Sequence, residues 1–118
     1  MTWEDAKNNC ESKSMRLFEP RTPSFFREVH KAAVSLRGNN YWFWLGISDL
    51  PKKDGLYRYE SDKKNVVDGM WSFGFPNDPD SHCVSATNAP VWRDKHCSIY
   101  SLQSICEEIQ IGNYMNTY

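Results

Sequence analysis

The chain has 118 residues and a formal net charge of −1, the scale of one domain that can bury a core but gains from covalent cross-links. Five Trp, six Tyr and six Phe supply much of that core. No basic run with interleaved aromatics occurs, which argues against a nucleic-acid partner, and no apolar stretch approaches a membrane span, which argues against bilayer insertion by this chain.

No signal peptide precedes Thr2, which fits a sequence that begins after processing or carries an added Met1. Thr2-Trp3-Glu4-Asp5 opens like a capping box, the Thr2 hydroxyl accepting from first-turn amides. Trp3, Ala6 and Cys10 follow at helical spacing and predict a first helix from Trp3 to Lys13. Met15 to Phe18 suits a short strand that Pro20 stops. Thr22-Pro23 is a cap followed by proline at the first helical position, where its missing amide is harmless. Phe25, Val29, Ala32 and Leu36 then keep a 3.6-residue period, so a second helix is expected from Ser24 to Arg37, with Gly38 as its left-handed terminus. Its apolar row should cover a sheet face, and His30 is read as a surface residue.

Arg37-Gly38-Asn39-Asn40 is a break. Tyr41 to Asp49, Tyr-Trp-Phe-Trp-Leu-Gly-Ile-Ser-Asp, is aromatic or β-branched on both faces and predicts a central, two-sided buried strand. Gly46 within it marks a place where another backbone or a large ring comes close. Asp49 to Asp54 reads as a turn and Gly55 to Tyr59 as a second strand or ribbon. From Ser61 to Ser81 the chain is polar and turn-rich, interrupted by Val66-Val67 and by Met70 to Phe75; loops of this length in a compact domain are usually functional. Cys83 to Ala86 and Val91 to Arg93 flank Thr87-Asn88-Ala89-Pro90 as a hairpin, and Gln103 to Cys106 makes a further strand.

Cys10, Cys83, Cys97 and Cys106 are an even set without Cys-x-x-Cys spacing, which favours two disulfides and an oxidising compartment. Counting alone leaves three pairings open, and four buried free thiols in a cytosolic chain is the other reading. No Asn-x-Ser/Thr sequon occurs. Neither Gly-x-Ser-x-Gly, His-Glu-x-x-His nor a phosphate-cradling glycine loop is present, and no cysteine is left over as a nucleophile, so no enzyme is expected. His82 and His96 each precede a cysteine. Two ligands do not make a zinc site.

Trp3-x-x-Ala6-x-x-x-Cys10, Trp44-Leu45-Gly46-Ile47-Ser48-Asp49, Trp71-x-x-Gly74-x-Pro76-Asn77, Cys83-Val84 and Trp92-x-Asp94-x-x-Cys97 occur in the order found in the C-type lectin-like domain, and the chain resembles that family from Thr2 to Glu107. The resemblance implies an α+β fold, residues 1–118 forming one domain: two helices on a mixed, largely antiparallel sheet with a long loop region, Cys10 bridged to Cys106 and Cys83 to Cys97. Family members usually begin with a strand upstream of the first helix, whereas this sequence starts at the helix and carries a surplus extension over residues 108–118. Gly112-Asn113 is a two-residue hairpin signal, so Tyr114 to Tyr118 is expected to fold back beside Ile105 to Ile111 in place of the missing strand; the alternative is a frayed tail.

Sugar-binding members build a calcium site from oxygen ligands. Carried over by position, the Glu-Pro-Asn tripeptide reads Phe75-Pro76-Asn77, the second Glu falls at Ser81, and Trp-Asn-Asp reads Trp92-Arg93-Asp94, so only Asn77 and Asp94 survive. A phenyl ring offers no oxygen, and a guanidinium repels a divalent ion. Asn77-Asp78-Pro79-Asp80 is first of all turn chemistry; alternatively Asn77, Asp78, Asp80 and Asp94 are the metal ligands if calcium binds. Without it, Arg93 is expected to pair with Asp78, Asp80 or Asp94. The expectation is therefore a secreted or extracellular recognition domain, without cofactor, that binds an extracellular protein or glycan through the long loop and adjoining hairpin. Phe73, Phe75, Tyr57, Asn77 and Arg93 are the contact candidates, since aromatic and Arg residues carry interface energy disproportionately; packing inside the loop is the equal alternative for the phenylalanines. The runner-up is a carbohydrate-binding lectin with a rearranged calcium site or a calcium-free pocket, and a third class is a flat ice- or mineral-facing protein.

Overall fold

Thr2 begins the first element as its sequence predicts: its Oγ1 accepts from the Asp5 amide at 3.2 Å, and α1 (Trp3–Glu11) buries Trp3, Ala6 and Cys10. The computed structural model describes residues 1–38, 41–67 and 69–109. α1 ends short of Lys13 because Ser12 caps it and Ser14 takes a left-handed φ of 58°, turning the chain into β1 (Met15–Leu17). α2 (Pro23–Arg37) starts at the Thr22 cap with Pro23 in its first turn and stops at Gly38, whose φ of 101° few other residues adopt.

The buried stripe of α2 departs from the expected one. Phe26, His30 and Ala33 face the core, whereas Phe25 is 49% and Leu36 81% exposed. The doublets Phe25-Phe26 and Ala32-Ala33 offer two apolar stripes one residue apart, and period alone does not choose between them. Tertiary contact does: Phe26 meets the Trp92 ring edge-on at 6.0 Å. His30 is likewise a core residue rather than a surface one, 5% exposed, because its Nε2–H finds the Thr87 carbonyl at 2.8 Å.

β2 (Phe43–Ser48) is buried at all six positions. Phe43, Leu45 and Ile47 join one core cluster with Phe18, Phe26, Val84 and Trp92, while Trp44 joins a second with Trp3, Ala6, Cys10 and Leu17. That alternation is the two-sided strand in atomic terms. Around it stand β3 (Arg58–Tyr59), β4 (Cys83–Ala86) and β5 (Trp92–Lys95) in the order β3-β2-β4-β5, all antiparallel, with β6 (Gln103–Ser104) parallel to β2. β7 (Cys106–Glu108) pairs instead with β1, Leu17 opposite Cys106. The single strand expected over Gln103 to Cys106 thus divides at Ile105, whose carbonyl accepts from the Phe18 amide. Of the ribbon expected over Gly55 to Tyr59, only its last two residues enter the ladder.

Cys10 is bonded to Cys106 and Cys83 to Cys97, with Cα separations of 5.4 and 5.2 Å. The first joins α1 to β7; the second closes the β4–β5 hairpin at the root of the long loop. The expected return strand over Tyr114 to Tyr118 lies outside the described residues.

Candidate functional site

The long loop is held from within by an aromatic stack. Trp71 packs edge-on against Tyr57 at 5.1 Å and Trp92 at 5.6 Å, and the Trp92 amide and carbonyl bond to the Met70 carbonyl and Ser72 amide at 2.7 and 2.8 Å. The loop is therefore stitched to β5 before its polar tip begins.

Asp94 governs that tip. It projects inward from β5 at 6% exposure, and its Oδ2 accepts from the Asn77 and Asp78 amides at 3.1 and 3.0 Å. Its Oδ1 is buried without a hydrogen-bond partner among the described residues. Asp78 in turn accepts from the Asp80 amide at 2.9 Å and the Ser81 hydroxyl at 3.0 Å, bonds that hold its carboxyl below the usual carboxylate range. The Tyr57 hydroxyl donates to the Ser81 carbonyl at 2.8 Å; burial first, then the charges of Asp49, Asp94 and Asp78, raise its pKa and keep it a donor. Asp80 is exposed.

Beside this lattice opens a cavity of about 490 Å³ whose lining includes Asp49, Asp54, Tyr57, Asn77, Asp78 and Ser81. Asp49 is 2% exposed and satisfied on both oxygens, by the Gly55 amide at 3.0 Å and by His82 Nδ1 at 2.9 Å. Arg58 lies 2.7 Å from Asp54 and draws its pKa to about 2. His96 Nε2 stands 3.5 Å from Asp78, so the two histidines face different carboxylates. Among the described residues no three His, Cys, Asp or Glu side chains converge so as to hold a metal ion.

The candidates named from sequence are thus partly gathered. Tyr57, Asn77 and Asp78 share the cavity and Asp94 ties it to the sheet, while Phe73, fully exposed, stands clear of them. Arg93 departs from its expected role: among the described residues it has no ion pair with Asp78, Asp80 or Asp94, and its guanidinium lies over the Phe75 ring at 4.9 Å and the Trp42 ring at 5.7 Å. The physical reason is strand alternation, which points Asp94 inward and Arg93 outward. Trp42, Lys95 and Tyr100, also gathered here, were not singled out from sequence; the period-2 placing of Arg93 and Lys95 on one face of β5 was the available signal.

Asp94→Ala strands two loop amides, so amide exchange at Asn77 and Asp78 should accelerate by about tenfold or more, in line with roughly 1–3 kcal/mol for an unsatisfied buried group. Asp94→Asn, which keeps an acceptor, should recover part of the protection. Unchanged exchange in the alanine variant would show that Asp94 does not hold the tip.

The family model described as "Lectin C-type domain" matches residues 1–108. Among solved structures, the carbohydrate-recognition domain of mouse scavenger receptor C-type lectin is 25% identical at a TM-score of 0.78, with 93% of this chain and 84% of that one covered. Human lithostathine is 24% identical at 0.80, covering 92% and 85%, and a calcium-independent type II antifreeze protein 24% at 0.73, covering 90% and 77%. No curated protein sequence matches the chain.

Proposed function

Since this chain belongs to the C-type lectin domain family, we propose that it is a non-catalytic extracellular recognition domain that binds a macromolecule, protein or glycan, without the calcium-bridged sugar contact. The observation that carries this reading is the Arg93 guanidinium seated over Phe75, a cation and a ring at two positions where the family's sugar-binding members supply oxygens. Asp94 supports it, because one of its oxygens already serves the chain's own amides. Phe73, Phe75, Tyr57, Asn77 and Arg93 are the proposed contacts, with Phe73 the most accessible apolar side chain among them. Calorimetric titration of the oxidised protein with calcium should give no saturable heat, and melting curves in calcium and in chelator should coincide. Saturable binding with a raised Tm sinks the proposal.

One observation favours a second reading, a lectin with a rearranged calcium site. Among the described residues Asp94 Oδ1 is buried without a hydrogen-bond partner beside the loop that carries Asn77, Asp78 and Asp80, and a hard cation is the kind of group such an oxygen binds. The same titration decides between the two.

A further inference from the structure

The half-buried cations of this chain fall into two groups. Lys7, Arg16 and Arg58 each meet a carboxylate, at 3.2, 2.6 and 2.7 Å. Arg93 and Lys95 meet rings instead. Lys95 Nζ lies 4.7 Å over Trp42 and 4.1 Å over Tyr100, and Arg93 lies over Trp42 and Phe75. Among the described residues neither has an ion pair, and Arg93 Nε is buried without a hydrogen-bond partner.

The side chains Phe75, Arg93, Trp42, Lys95 and Tyr100 therefore alternate ring and cation in space, an interleaving that no run of the sequence contains. Ring faces attract a cation but do not cancel its charge. Burial, and then the neighbouring Arg93, depress the Lys95 pKa, a cost that an anion set between the two cations relieves. Cavities of 240 to 540 Å³ are lined by other residues, and a row of five alternating side chains suits an extended chain better than a small molecule.

We propose that this face binds a sulfated polysaccharide, with Arg93 and Lys95 holding sulfate groups and the rings of Trp42, Tyr100 and Phe75 supporting the sugars between them. The fork of donors on Arg93 fits a tetrahedral oxyanion. A nucleic acid is the weaker choice because the two disulfides belong to oxidising compartments. The inference rests on the reading of the chain as a recognition domain and adds the ligand class.

The test uses the oxidised full chain with heparin, chemically desulfated heparin, a sulfotyrosine peptide and single-stranded DNA as probes. Heparin should bind with an affinity that falls as salt rises, and the other three at least tenfold more weakly. Lys95→Gln should weaken heparin binding about tenfold and lower the slope of log affinity against log salt by about one; Tyr100→Ala should weaken it severalfold, and the α2 surface variant Lys31→Gln should leave it unchanged. Both face variants alter partly exposed side chains, and their melting curves report folding directly. No heparin binding, equal binding of desulfated heparin, the peptide or DNA, or an unaffected Lys95→Gln protein overturns the inference. Phe73→Ala and chelator address the proposed loop reading separately: heparin binding lost with Lys95 but indifferent to Phe73 and calcium supports the face alone, whereas a calcium requirement with Lys95 indifferent overturns both.

Discussion

Replacing Cys10 and Cys106 together by alanine should destabilise the folded chain by up to about 4 to 5 kcal/mol, because the bridge closes a loop with a sequence separation of 96. The chain-entropy model gives about 3 kcal/mol for the other bridge, whose separation is 14. Packing does not separate the two bridges, because Cys10 and Cys83 are both fully buried in one cluster with Trp3, Ala6, Leu17 and Trp44, and Cys97 and Cys106 both pack against it; the ranking rests on loop length. Urea denaturation of the two double-alanine variants and the parent compares them directly. A Cys83→Ala, Cys97→Ala protein that loses as much as the Cys10→Ala, Cys106→Ala protein would contradict the ranking.

Gly46→Ala should destabilise the fold strongly. A Cβ at this position would stand 2.7 Å from the Leu17 carbonyl oxygen and 2.8 Å from Glu19 Cγ. The first of these atoms is backbone held in the β1–β7 ladder, and the Gly46 amide donates to the Phe18 carbonyl at 2.7 Å, so the strands cannot separate to make room. Glu19 is equally fixed: 3% exposed, it accepts from the Ser61 amide and hydroxyl and from Arg21. Overpacking of a filled core costs about 1–3 kcal/mol, and disturbing a buried carboxylate adds to it. Gly55→Ala is the control, since Gly55 has a φ of 78° but open space around it; its cost should be the backbone contribution alone, of order 1 kcal/mol. Equal losses for the two variants would remove the steric account of Gly46.

Much of this was legible from the residues. The Tyr41 to Asp49 run, aromatic on both faces, had to be central, and Gly46 within it had to admit a neighbour; both are so. The cysteine pairing followed from the family resemblance, because counting alone left three choices. What the sequence hid was decided by contacts distant along the chain. α2 offered two apolar stripes, and only Trp92 and Thr87, dozens of residues away, select Phe26 and His30 over Phe25 and Leu36. The candidate site was harder for the same reason. Arg93, at a calcium-site position of the family, was expected to pair with a loop carboxylate in place of the ion, but strand alternation sends it to the rings of Trp42 and Phe75 and leaves Asp94 to hold the loop. A face assembled from residues 42, 75, 93, 95 and 100 leaves only the period-2 pair Arg93 and Lys95 as a local signal.

The bridge from α1 to β7 also decides how the domain responds to tension. Force applied between Met1 and Ile109 enters the Cys10–Cys106 bond almost at once, and everything between those cysteines, including the central sheet and the long loop, lies outside the load path. Pulled to its limit, the oxidised domain lengthens to about 40 Å of chain outside the bond, against about 380 Å once the bond is reduced, at ~3.5 Å per extended residue. Tension between the two ends therefore leaves the loop and the sheet unloaded for as long as the bond holds, and a single-molecule trace with and without reductant would read the difference directly.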